Sequence, residues 1–512
     1  PPVWRGAPHL ACQWSRRALA GRSDPAGGMG YGEDSFASYL QWSFPAGLPE
    51  GTKITLVGDF PYARYFDFQV SPPWDPEYPA WRGGRGAQAV AILDQDIEPL
   101  VGNVNPYRPG VDRHALNRRY EVVFELRSAP AAEWNTVNGG AVTAPYRGTD
   151  STRIGGHRSG RYGELGPYIE MRIYLPDGGN PYAGVAPPVV LMQLPGEAPV
   201  FAPPIADLYR YPRGEEDEAY WVKLPYAPQD NECLANGWAA KDQALRDLRE
   251  DFVASVLAEP PEPPGPVDPR SAFFRAEDGA LRQFKVFGIA RHACVMRKAQ
   301  EEGVPAARES CPESDLALYG RGHMEPVPKN DEHTNGMDIY NSYLASVVSP
   351  NPGEILVFRG RAPATARTFA APAAADMDTA VRYWSLCTYK DAVVRLNCLA
   401  DESVAVGADG YFTIVMGRPE DRPANATPEC RMTWLPLLAN GANTLWRMKA
   451  TRATPWEHAL QTVPWELGDL ALETYDETAL RRIMGEYYPE GRYLSRPDME
   501  ALGCDPDTVA WP

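Results

Sequence analysis

Apolar and polar residues alternate along much of the chain in short runs closed by Gly, Pro, Asn or Asp. This is the pattern of β-strands that bury one face. The clearest stretch covers residues 381–416, VRYWSLCTYKDAVVRLNCLADESVAVGADGYFTIVM. Three strands are predicted there: 381–388, a β-branched run at 393–399, and 411–416 after the turn Gly407-Ala-Asp-Gly410. Cys387 and Cys398 fall on the first two, about equally far from the turn between them, so a cross-strand disulfide is expected.

A worn copy of this region occupies the first third of the chain. Gly32, Asp34, Ser38, Tyr39 and Leu40 match Gly336, Asp338, Ser342, Tyr343 and Leu344 at a constant offset. In each copy a Pro-Gly turn follows (49–51, 350–353), then an aliphatic strand (54–57, 355–358). Next come Arg64-Tyr65-Phe66 and Arg382-Tyr383-Trp384. Later strands correspond loosely, 120–126 with 411–416 and 170–175 with 444–449. So many matches in one order point to an internal duplication. Short one-faced strands must stack as two sheets to cover their apolar sides. The fold expected is mainly β: two related β-sandwich or jelly-roll domains, with a helical insertion and a helical C-terminal segment.

The expected boundaries are an N-terminal arm (1–28), repeat 1 (29–180), an insertion and linker (181–334), repeat 2 (335–452) and the C-terminal segment (453–512). Within the insertion, Trp238, Leu245, Leu248, Phe252 and Val256 form one stripe of a helix over 236–257. PPEPPGP at 260–266 ends it as a stiff connector. Residues 280–297 read as a buried strand or helix, which periodicity does not separate. Amphipathic helices are predicted at 456–472 and 477–487, and Cys504 is a candidate pin for the tail beyond Arg496.

The second copy, with RYWSLC, ADGYFTIVM, PANAT and TWLP, resembles uncharacterised bacterial proteins described as exported or hypothetical, with a C-terminal β-sandwich domain. The likeness is carried by strands and turns. It implies a fold and an exported setting; no catalytic residue can be carried over from it, and the function of that family is unknown.

Composition sharpens this picture. A chain of 512 residues calls for two or three domains. The many Pro and Gly, 52 and 45, are scattered, as befits turns between short strands rather than disorder. A net charge of −17 argues against nucleic-acid partners and anionic lipid. No apolar run approaches the roughly 18 residues of a membrane span. The chain opens Pro1-Pro2-Val3, as a processed chain would, and its eight cysteines include no CxxC pair. An even, scattered set fits disulfides in a secreted or periplasmic protein. Beyond Cys387–Cys398, a second pair is conceivable at Cys294–Cys311, and Cys12, Cys233, Cys430 and Cys504 cannot be paired from sequence. The triplet Asn425-Ala-Thr427 matches a glycosylation sequon, a pattern common by chance.

Chemistry-bearing motifs are sparse. His323, Glu325, Asp331 and His333 concentrate metal-type ligands in one Pro-stiffened segment beside Glu332 and Asp338. Their spacing matches neither an HExxH helix nor an EF-hand loop, and a solvated polar loop is the simpler reading. His114, His157 and the glycine-rich run 155–163 read as surface loops. No GxSxG elbow or Walker A sequence is present, and no cofactor is indicated. Aromatic residues are abundant, with 26 Tyr and 14 Trp. Trp74, Trp81, Tyr211 and Trp221 stand in loops, where they either pin Pro-rich chain to the body or meet a sugar or protein ligand. Two functions follow as expectations. One is an exported binding or surface-assembly protein using aromatic loops and the cleft between its β-domains, as a homo-oligomer or with a protein or glycan partner. The other is an exported hydrolase acting on a glycan or other extracellular polymer with carboxylates in that cleft.

Overall fold

The computed structural model describes residues 13–18, 34–43, 48–71, 90–127, 137–138, 141–145, 168–177, 182–202, 269–286, 341–366, 379–390, 394–438, 442–450, 456–464, 467 and 476–506. These are mainly β, arranged in four sheets with few helices.

The first sheet has the order β1 (Ser15–Ala18), β2 (Ala37–Ser43), β9 (Tyr168–Pro176), β4 (Ala63–Ser71) and β5 (Val90–Leu93). The second runs β11 (Val200–Phe201), β10 (Val189–Gln193), β3 (Lys53–Asp59), β6 (Arg119–Arg127), β8 (Ala141–Pro145), β7 (Val137–Asn138). Alternation sends Ile54, Leu56, Val122 and Phe124 to meet Leu40, Phe66, Phe68 and Met171 from the facing sheet in one buried core. Trp14 belongs to this core and donates its indole N–H to Pro188 O at 2.6 Å, so the chain before residue 28 contributes a strand and an anchor.

The third sheet has the order β12 (Ala280–Leu281), β21 (Glu490–Ser495), β15 (Glu354–Arg361), β18 (Tyr411–Gly417), β19 (Thr433–Pro436). The fourth runs β13 (Phe284–Val286), β14 (Asn341–Val348), β20 (Ala442–Ala450), β16 (Val381–Lys390), β17 (Val394–Ala400). Their common core includes Leu356, Phe358, Phe412 and Ile414 from one sheet and Trp384, Leu386, Trp446 and Met448 from the other. Trp384 stacks on Trp446 with ring centroids 4.7 Å apart. Rings of this size each bury some 150–250 Å² and dominate such cores.

The predicted strands at 381–388, 393–399 and 411–416 correspond to β16, β17 and β18. Cys387 and Cys398 sit directly opposite in the ladder and are bonded. The undecided stretch from 280 begins as β12 and β13, and β10 and β11, past residue 180, complete the second sheet. In the C-terminal segment, α2 (Glu477–Met484) follows α1 (Pro269–Phe274) in chain order and is capped by Asp476, whose side chain accepts from Ala479 N. Of the helix predicted at 456–472, Leu467 is helical, while residues 456–464 depart from expectation. Residues 456–464 hold turns and the short 3-10 turn Leu460–Thr462 before Pro464. Ala459, Leu460 and Val463 are buried there, so tertiary packing supplied the apolar spacing that suggested an α-helix. Sequence reading missed β21, which lies against β15, and α3 (Arg496–Ala501), which leads to Cys504 and its bond to Cys430. The helix expected at 236–257, Cys12, Cys233, Cys294 and Cys311 lie outside the described residues.

Candidate functional site

The two sheet pairs meet through their first and fourth sheets, and the surface between them is charged. On β4 the side chains of Phe66 and Phe68 enter the apolar core, which leaves Tyr65, Asp67 and Gln69 for the opposite face. Strand β16 does likewise, with Trp384 and Leu386 inward and Tyr383, Ser385 and Cys387 outward. Tyr174 of β9 and Tyr383 bring their rings to 5.3 Å, marking where the sheets touch.

Ion pairs cross this seam along its length. Arg64 binds Asp401 and, at 3.1 Å, Glu402, while Arg382 reaches back to Asp94 at 3.2 Å. The two contacts mirror each other. Each arginine precedes the Tyr-aromatic pair of its strand, and each aspartate opens the 3-10 turn after the opposite pair's edge strand. Each aspartate also accepts a backbone N–H in its own sheet pair, Asp94 from Phe66 and Asp401 from Trp384. Towards the middle, Lys449 lies 3.6 Å from Asp67 and over the rings of Tyr65 and Tyr174, 4.4 and 4.2 Å from their centroids.

Asp34 is the most heavily used of these groups. It is fully buried and accepts from Arg447, from Tyr383 Oη at 2.9 Å and from Ser385 Oγ at 2.6 Å, all three in the C-terminal sheet pair. Its other oxygen accepts the Phe36 N–H at 2.9 Å, which fixes the turn entering β2. Asp34 also lies near Cys387 and Cys398, with ligand atoms all within 4.8 Å. That trio has the composition of a metal site, but the sulfurs are joined to each other and the carboxylate is held by a guanidinium. Burial raises the pKa of Asp94 to about 6 and outweighs the attraction of Arg382. Burial likewise raises Asp401, with Arg64 opposing. Burial works against the charge of Arg447, but Tyr343 and Asp34 hold its pKa well above the ordinary value.

These carboxylates cannot serve a polymer. Asp34, Asp67 and Asp94 are fully buried and Asp401 nearly so, and each faces a cation from the other sheet pair. The cleft expected between the β-domains is, among the described residues, a packed and paired interface. Beside it, an open groove of about 460 Å³ is lined by Glu402, Ser403, Arg422, Thr433 and Trp434 among others. Its hydroxyls are engaged internally: Thr433 Oγ1 accepts from Ala405 N at 2.8 Å and Ser403 Oγ donates to Ala400 O at 2.7 Å.

The candidate metal residues His323, Glu325, Asp331 and His333 lie outside the described residues, as do the loop aromatics Trp74, Trp81, Tyr211 and Trp221. The sequon asparagine is structurally committed. Asn425 donates its amide to Met499 O at 2.7 Å and Gly503 O at 2.6 Å, clamping the turn before Cys430 to the segment that carries Cys504. His114 lies on an exposed turn in which its N–H binds Asp112 at 2.9 Å.

No protein-family model matches the chain. No curated protein matches it either. Among solved structures it is similar to an uncharacterised protein from Burkholderia cenocepacia, at 12% identity and a TM-score of 0.39, covering 96% of this chain and 87% of that one. A protein from Vibrio parahaemolyticus is similar at 12% identity and a TM-score of 0.34, with 90% of each chain covered. No helix among the described residues is long and apolar enough to cross a membrane.

Proposed function

We propose that this is an exported binding or surface-assembly protein, built from two related β-sandwiches that arose by duplication and are locked face to face. The observation that carries the reading is the seam. Its buried carboxylates are matched to arginine and lysine from the opposite sheet pair, so the charge that a hydrolase would aim at substrate is consumed in joining two lobes. Sheet order supports the duplication: β1-β2-β9-β4-β5 corresponds position by position to β13-β14-β20-β16-β17, and β10-β3-β6-β8 to β21-β15-β18-β19. Even the parallel pairing of β6 with β8 recurs in β18 with β19. The exported setting is supported by two disulfides, which persist in oxidising compartments. The negative net charge keeps nucleic acid off the list of partners.

The test is to incubate the full chain with intact and extracted bacterial envelope polymers and measure both retention and bond cleavage. Retention without release of new reducing ends or soluble fragments is expected. Sustained turnover would replace this reading with the hydrolase.

A further inference from the structure

We infer that a surface patch on the C-terminal sheet pair, centred on Trp456, Tyr487 and Arg361, is a binding site for an uncharged saccharide; this deepens the binding reading above. The site is assembled from distant segments. Strand β15 ends in Arg359 and Arg361, and the turn into β18 supplies Asp409 and Tyr411. After α2, the residues 485–487 add Glu486 and Tyr487, while the loop at 456–458 adds Trp456 and His458.

The rings are only partly covered, yet their orientation is fixed. Trp456 meets Tyr487 edge-on at 4.3 Å, and His458 stacks against Tyr487 at 5.7 Å. Gly485 takes a φ of +56°, a conformation that other residues rarely adopt, and so sets the turn that carries Tyr487 to the loop. Trp456 is anchored below against the apolar core. Polar groups pack beside and over these rings. Glu486 accepts from Tyr411 Oη at 2.6 Å and from Arg361 at 2.9 Å, and the Arg361 guanidinium lies 5.9 Å from the Tyr487 ring centre. Arg359 binds Asp409 at 3.0 Å and lies 4.8 Å from the Tyr411 ring centre.

Half-exposed, fixed aromatic rings beside planar donors and carboxylate acceptors suit a pyranose ring, which has apolar C–H faces and hydroxyls around its rim. Because the rings and polar groups already hold each other in place, binding immobilises few side chains. Charge decides between saccharides. Arg359 and Arg361 are balanced by Asp409 and Glu486, exposed Glu457 lies 3.8 Å from His458, and the chain carries −17 overall. A polyanionic sugar gains no net attraction here, so the ligand is neutral.

The experiment is affinity electrophoresis and titration calorimetry of the full chain against soluble β-1,3-glucan, dextran and xyloglucan, with polygalacturonate as the charged comparison. Wild-type protein should bind at least one neutral polymer and ignore polygalacturonate. Trp456→Ala and Arg361→Ala should each weaken that binding about tenfold or more. Since Trp456 also touches the core, its melting temperature is recorded, and Glu486→Gln, at a side chain 56% exposed, serves as the second variant and should also weaken binding. Three results would overturn the site: no neutral polymer bound, polygalacturonate bound in preference, or unchanged affinity in Arg361→Ala and Glu486→Gln. Retention on envelope material alongside any of them leaves the general binding reading standing, whereas release of reducing ends overturns that reading instead.

Discussion

Replacing Asp34 with alanine removes a fully buried carboxylate and breaks its ion pair with Arg447, also buried. A guanidinium cannot shed its proton to escape, so breaking this buried pair should cost about 3–5 kcal/mol. Tyr383 and Ser385 lose an acceptor in the same step. For a unit of this size such a loss lowers Tm by roughly 10–15 °C. The opposite deletion behaves differently. Arg64→Met leaves Asp401, whose pKa burial already raises, and that carboxyl can take up a proton and become neutral. Its cost at pH 7 should therefore be smaller, about 1–2 kcal/mol, and should shrink further towards pH 5. Guanidinium chloride unfolding of the full-length variants at both pH values measures the difference. A loss under about 1 kcal/mol for Asp34→Ala, or equal and pH-independent losses for both variants, would refute a dry, paired seam.

Other consequences can be checked directly. Cys387→Ser with Cys398→Ser should cost roughly 2–3 kcal/mol, and loss of Cys430–Cys504, which spans 74 residues, about 4 kcal/mol, read from denaturation midpoints. Asn425 should stay unmodified when the protein is secreted from a host that glycosylates sequons, because its amide already serves Met499 and Gly503; peptide mass spectrometry decides. Asp94 makes a signed contribution to pH dependence. Its folded pKa of about 6 lies above the unfolded value of about 3.9, so the native state binds that proton more readily between the two. Its share of stability is therefore fully present below pH 4, falls as pH rises to 6 and is constant above, by at most roughly 3 kcal/mol. The Asp94→Asn variant should lose that part of the slope in unfolding measured from pH 4 to 7.

Much of the architecture was legible because strand alternation and turn residues are local signals. The two arginine-tyrosine-aromatic strands were visible, and the cross-strand cysteines followed from their symmetric placement about one turn. The role of their arginines was not legible. Arg64 and Asp401, or Asp34 and Arg447, are hundreds of residues apart, and nothing local marks a charge as destined for burial. The Cys430–Cys504 bond was hidden for the same reason. It depends on β21 and α3 folding back along β15, and β21 is a short strand whose Gly491 is set close to Leu281 and Phe358. The aromatic patch escaped notice because Tyr411, Trp456 and Tyr487 are isolated in sequence and become neighbours only through the turn at Gly485.

Buried carboxylates of each sheet pair are held by cations of the other. Carbodiimide footprinting of the native full-length chain, read by mass spectrometry, addresses this in one measurement. Asp34, Asp67, Asp94 and Asp401 should remain unlabelled while Asp409 and Glu486 react readily. Labelling of Asp34 and Asp401 at the rate of Asp409 would show that the seam is open to solvent and contradict the account.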